Sequence, residues 1–155
     1  MVIGGRLLST ASFKVQISPL MAFSSDFPHA DKILLADVDE SDALQLSSFL
    51  ELNGFTVRRG ADLEEALTVF SNLTPGIVLV DANLPAKSWL DLIQSIRKYE
   101  VEKDSDYRSV IIVTATRYTS DLHQRALKAG LHDVIGKPID QASLLKKIAD
   151  LTILY

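Results

Sequence analysis

The chain has no cysteine among its 155 residues, which excludes disulfides, thiolate metal sites and a cysteine nucleophile together. It has no apolar run approaching the ~20 residues a membrane helix needs, so no membrane insertion is expected. Positive charge is also scarce. Sixteen lysines and arginines stand against twenty acids, for a net charge of -4 and a pI near 5.3, a field that does not attract nucleic acid or an anionic membrane surface. Seven glycines and five prolines are too few for a low-complexity or collagen-like chain. What remains, 47% hydrophobic and 23% charged residues, has the balance of one ordinary globular domain. The cysteine-free composition fits a reducing compartment without requiring one; a cytoplasmic location is the expectation.

Residues 1–30 divide from the rest. Their only cations are Arg6 and Lys14, no acid precedes Asp26, and five serines are present, a composition resembling a targeting or leader segment. Yet Phe13, Val15 and Ile17 alternate with Lys14, Gln16 and Ser18, the period of a half-buried strand. Leader and extra strand both stay open. As a strand the segment could cover a sheet edge in its own chain or in a second copy, giving a homodimer.

From residue 31 to 155 short apolar runs alternate with segments of helical period. Ile33 to Ala36, Phe55 to Arg59, Ile77 to Val80, Val110 to Val113 and Val134 to Gly136 read as strands. Between them Ala43/Leu46/Leu50, Leu63/Leu67/Phe70, Leu92/Ile93/Ile96 and finally Leu144/Ile148/Leu151 recur at helical spacing. Glu100 to Arg108 is charged and aperiodic and reads as a solvated loop. The rhythm predicts an α/β fold with a doubly wound, five-stranded parallel sheet in order 2-1-3-4-5.

Polar residues stand where these strands end: Asp37 and Asp39 after the first, Asp81 after the third, Thr114 after the fourth, Lys137 after the fifth. Singly, an aspartate there can be a helix cap and a threonine a strand residue. Together at the carboxyl edge of a parallel sheet they form a crevice of carboxylates, a hydroxyl and an ammonium, suited to a hard cation and a phosphoryl group.

The strings ILLADVDE, GIVLVDANLP, VIIVTA and DVIGKP, in this order and spacing, resemble a response-regulator receiver domain of the CheY-like, flavodoxin-like kind, over about three quarters of the chain. The resemblance implies that Asp81 is the phosphoacceptor, Asp37 one of an acidic pair, Thr114 the switch hydroxyl and Lys137 the phosphate-binding lysine. It implies Mg2+ as cofactor, held by Asp37, Asp81 and the Asn83 backbone carbonyl. The donor would be a histidine kinase or a phosphotransfer protein, and the output an unidentified protein, with no enzymatic turnover beyond self-promoted phosphotransfer.

Two positions depart from the pattern. Val38 stands where the second acid is expected, so magnesium should bind weakly unless Asp39, two residues beyond Asp37, substitutes. Val134 replaces the switch aromatic three residues before the lysine. Both favour a second reading, a pseudo-receiver that keeps the fold without responding to phosphorylation. A third reading is a phosphatase of the haloacid dehalogenase type, with Asp37 as nucleophile and Asp39 as acid/base in ADVDES. His29, His123 and His132 lack metal-site spacing and are expected at the surface. Trp89 is expected to pack at the start of a helix.

Overall fold

The computed structural model describes residues 30–104, 108–117 and 119–153. The stretch from Phe13 to Ile17 lies outside them. The order is β1 (Lys32–Ala36), α1 (Glu40–Leu52), β2 (Thr56–Gly60), α2 (Leu63–Leu73), β3 (Ile77–Asp81), a short 3-10 turn (Pro85–Lys87), α3 (Ser88–Glu102), β4 (Val110–Ala115), α4 (Ser120–Ala129), β5 (Asp133–Gly136) and α5 (Gln141–Ile153). The five strands are all parallel, in the order β2-β1-β3-β4-β5.

The central strands β3 and β4 are apolar almost throughout because both of their faces are covered. Alternate residues feed two cores. Leu34, Val78, Val80, Ile111 and Val113 pack with Ala66 and Phe70 of α2, Leu92, Ile93 and Ile96 of α3 and Ala126 of α4. Ile33, Leu35, Ile77, Leu79 and Ile112 face Ala43, Leu46 and Leu50 of α1 and Leu144 and Ile148 of α5. Burying each of these Val, Leu, Ile or Phe side chains contributes about 1.5–3 kcal/mol. Trp89 is buried in the first core, as the sequence implied. Gly60 allows β2 and α2 to meet, since a Cβ there would lie 2.5 Å from the Ala66 Cα.

Two sequence expectations fail at the edge of the sheet opposite the strand ends. Glu100 is not part of a solvated loop: α3 continues to Glu102 and Glu100 is buried. Four residues after Ile96, it lies on the same inward stripe. Its Oε2 accepts the Ser109 amide and hydroxyl at 2.7 and 2.8 Å, and its Oε1 pairs with Arg97 at 2.7 Å. Arg97 also donates from Nε and Nη2 to the Gly130 carbonyl, at 2.9 and 2.7 Å. Gly130 is the left-handed residue (φ 102°) that ends α4, a conformation glycine adopts without a Cβ penalty.

The second is His132, which is half-buried and not a surface side chain. Its Nδ1 accepts the Ile111 amide at 3.1 Å while its own amide donates to the Ile111 carbonyl at 2.7 Å. Burial and the Arg97 guanidinium push the imidazole down to about 4, against the opposing pull of Glu100. The unfolded chain protonates this histidine near pH 6.5 and the folded chain does not until about 4. Stability is therefore fully present above pH 6.5 and is lost as pH falls between those values. Discounted for partial exposure, the loss is on the order of 2 kcal/mol. His132→Asn keeps an acceptor near Nδ1 but does not titrate. Denaturant midpoints at pH 7 and pH 4.5 should differ less for this variant than for the wild type, and equal pH slopes would refute the assignment.

Candidate functional site

Strand register assembles the site. Ala36 pairs with Val80, so Asp37 and Asp81 follow side by side at the carboxyl ends of β1 and β3. Asp81 is in register with Thr114 on β4, and Ala115 with Gly136 on β5, so Lys137 emerges next on the same rim. Asp37, Asp81 and Thr114 are buried, and Lys137 is mostly covered. The Lys137 Nζ lies 3.1 Å from Asp81 Oδ2 and 3.8 Å from Asp37 Oδ2. The other Asp81 oxygen accepts the Asn83 amide at 2.9 Å, so one carboxylate is oriented from both sides.

Two buried carboxylates here share one ammonium. Burial raises the Asp37 carboxyl to about 6; the Asp39 amide and Lys137 pull it down, while a hydrogen bond with Asp81 and that residue's charge push it up. When both acids are ionised the pocket holds more negative than positive charge, and its donors are hard oxygens. That composition fits a divalent cation such as magnesium, which keeps several waters and needs only one or two carboxylates. Among the described residues no group of three or more histidines, cysteines and acids gathers as a metal site.

The remaining sequence candidates separate. Asp39 is exposed and caps α1, its side chain accepting the Asp42 amide at 2.9 Å. Asn83 is exposed as well, and its Nδ2 donates to Thr116 Oγ1 at 3.0 Å, joining the loops after β3 and β4. The Thr114 hydroxyl donates to the Val80 carbonyl at 3.5 Å. Val38 is 44% exposed and Val134 is buried. Beside Asp37 and Lys137 a crevice of about 190 Å³ opens, walled by Asp42, Gln45 and Leu46 of α1 and by Pro138, Ile139 and Gln141.

Sequence reasoning missed Arg59 and Thr116. Arg59 donates to the Asp37 and Val38 carbonyls, and nothing in the period of a short edge strand marks such a reach. Thr116 carries a weak signal, since it stands two residues after Thr114 as Asn83 does after Asp81.

Comparisons with known proteins agree with the fold and identify the family. A family model described as the response regulator receiver domain matches residues 33–149. The Regulator of RpoS of Escherichia coli K12 is 26% identical over 117 residues, covering 76% of this chain and 33% of that protein. The crystal structure of a CheY-like response regulator receiver domain protein from Methanospirillum hungatei JF-1 gives a TM-score of 0.71 at 23% identity, over 80% of this chain and 94% of that one. The co-crystal structure of the Saccharomyces cerevisiae histidine phosphotransfer signaling protein Ypd1 with the receiver domain of Ssk1 gives 0.70 at 21% identity, over 79% of this chain and 89% of the matched one. The chain spans about a fifth to under a half of the length of the curated relatives it matches. It belongs to the response regulator receiver domains, the switch modules of two-component phosphorelay signalling.

Proposed function

We propose that Asp81 accepts a phosphoryl group from the phosphohistidine of a partner, either a histidine kinase or a phosphotransfer protein, and that the resulting acyl phosphate changes which output protein the chain contacts. The observation that carries this reading is the buried Asp81 at the end of a central strand, oriented by Lys137 and the Asn83 amide. An Asp81 oxygen attacks phosphorus, a P–O bond forms, and the P–N bond breaks with its electron pair leaving on the imidazole. The Lys137 ammonium balances charge on the phosphoryl oxygens. Asp37, Asp81 and the Asn83 carbonyl would hold magnesium, which when bound neutralises the charge that the carboxylates and a phosphoryl group bring together. The Ypd1–Ssk1 complex supports a phosphotransfer protein as the kind of partner.

After transfer the Thr114 hydroxyl turns from the Val80 carbonyl to a phosphoryl oxygen and draws the loop after β4 inward. Asp39 is exposed and serves as the cap of α1, which speaks against the phosphatase pairing of Asp37 with Asp39. The exposed Val38, which offers no oxygen to the pocket, keeps one rival alive: a pseudo-receiver that binds partners whatever the state of Asp81. Against it, burying two carboxylates and an ammonium together is costly unless the charges are used.

The two readings separate under beryllofluoride and magnesium, a phosphoryl mimic. Amide resonances of Thr114, Thr116 and Val134 to Gly136 should shift along with those of the pocket. Shifts confined to Asp81 and Asn83, or none at saturation, would establish the pseudo-receiver.

A further inference from the structure

The loop joining β1 to α1 is fastened from outside the pocket. Arg59, half-buried on the edge strand β2, donates from Nε to the Asp37 carbonyl at 3.0 Å and from Nη2 to the Val38 carbonyl at 3.1 Å. The Asp37 amide donates to the neighbouring Gly60 carbonyl at 3.2 Å. On the pocket side, Asp37 Oδ1 accepts the Asp39 amide at 2.9 Å while Oδ2 stands 3.8 Å from Lys137. Successive carbonyls are thus held on the β2 side while the Asp37 carboxylate faces Lys137 and Asp81. A planar guanidinium suits this task because its fork reaches two acceptors at once, which a lysine ammonium on a flexible stem does not reproduce.

We propose that Arg59 is a positioning residue for the phosphoryl-transfer site, its guanidinium fork fixing the Asp37–Val38 backbone so that Asp37 stays aimed at the cation and the phosphoryl group. The inference rests on the reading of Asp37 and Asp81 given above. Two acids in this loop would let a bound cation order the loop by holding both. The Val38 side chain has no oxygen and is 44% exposed, and its carbonyl is taken by Arg59, so the order must be present before the cation arrives, and Arg59 supplies it. A site preformed in this way binds without the cost of ordering its ligand loop.

The charge of Arg59 acts in the opposite direction, because a guanidinium near the pocket repels a divalent cation. Positioning and charge therefore predict opposite signs. The 155-residue chain would be titrated with magnesium alone, without a phosphodonor, following the amide resonances of Val38, Asp39 and Asn83. Arg59→Gln, Arg59→Lys and Asp37→Asn would be compared with wild type, with hydrogen exchange measured at the Asp39 amide. Both Arg59 variants should weaken magnesium binding about tenfold, the lower range for loss of a supporting contact at a metal site, and should speed exchange at Asp39. Arg59→Lys keeps charge and stem, so a weakened site in a folded, wild-type-like spectrum isolates the fork. Tighter binding in Arg59→Gln with no change in Arg59→Lys would overturn the proposal in favour of a purely repulsive charge. Unchanged affinity in both Arg59 variants, with Asp37→Asn weakened, would overturn it alone. Unchanged affinity in Asp37→Asn would overturn the underlying reading of the site, and this proposal with it.

Discussion

Asp81→Asn is expected to carry no acid-stable, base-labile phosphoryl label under conditions that label the wild type fully, whether the donor is a small phosphoramidate or a phosphohistidine protein. The amide nearly matches the carboxylate in size, so the packing around Ala82 and the strand pairing to Thr114 should persist. What changes is the nucleophile: an amide oxygen shares its electron density with nitrogen and does not displace imidazole from phosphorus. Lys137 loses its 3.1 Å partner but keeps Asp37 at 3.8 Å, and one of two carboxylates competing for a single ammonium is gone. The fold should therefore survive, with a stability change within about 1 kcal/mol because relief of repulsion offsets the lost pair. Asp37→Asn should lower the rate of labelling and leave Asp81 as its site. Label that persists in Asp81→Asn and disappears in Asp37→Asn would sink the phosphoacceptor assignment and return the phosphatase reading.

The sheet and the rim of the site were legible because both follow from short-range pattern. Runs such as Ile77 to Val80 and Val110 to Val113 are apolar at every position, as a strand covered on both faces requires, and their shortness favours a strand over a buried helix. Once their order along the chain is set, the residues just past them must share one edge. Asp37, Asp81, Thr114 and Lys137 were found this way, and their meeting is a consequence of register.

What escaped has a common physical cause: a long polar side chain turning back onto backbone groups. Arg59 reads as an ordinary edge-strand cation, yet its reach to two carbonyls depends on the loop beside it. Glu100 was hidden by its charge, although its distance of four residues from Ile96 placed it on the buried stripe; the Ser109 amide and hydroxyl that make its burial tolerable are remote in sequence. His132 has no metal-site spacing and so reads as a surface residue, whereas its ring accepts a main-chain amide of β4. Asp39 shows the reverse case: its residue type allows either a ligand or a cap, and the structure places it as the N-cap of α1.

Restoring the missing acid should reveal how much the site loses through Val38. In Val38→Asp, magnesium affinity should rise at least tenfold, since even supporting contacts around a metal change affinity by about 10 to 100-fold and a direct carboxylate should do no less. The side chain at 38 is 44% exposed, so an aspartate there neither opens a cavity nor buries an unpaired charge. At low magnesium the labelling rate should rise by a similar factor, and at saturating magnesium the two proteins should converge, because the substitution changes cation occupancy and leaves the nucleophile untouched. Without metal the variant should melt lower than wild type, as a third carboxylate joins two that share one ammonium, and magnesium should reverse the order. Asp39→Asn is the companion measurement. Asparagine caps a helix about as well as aspartate, so α1 stays capped while the charge is removed, and magnesium affinity should hardly move. A large loss in Asp39→Asn together with no gain in Val38→Asp would mean that Asp39 leaves its cap to bind the cation, taking over the role that position 38 has lost.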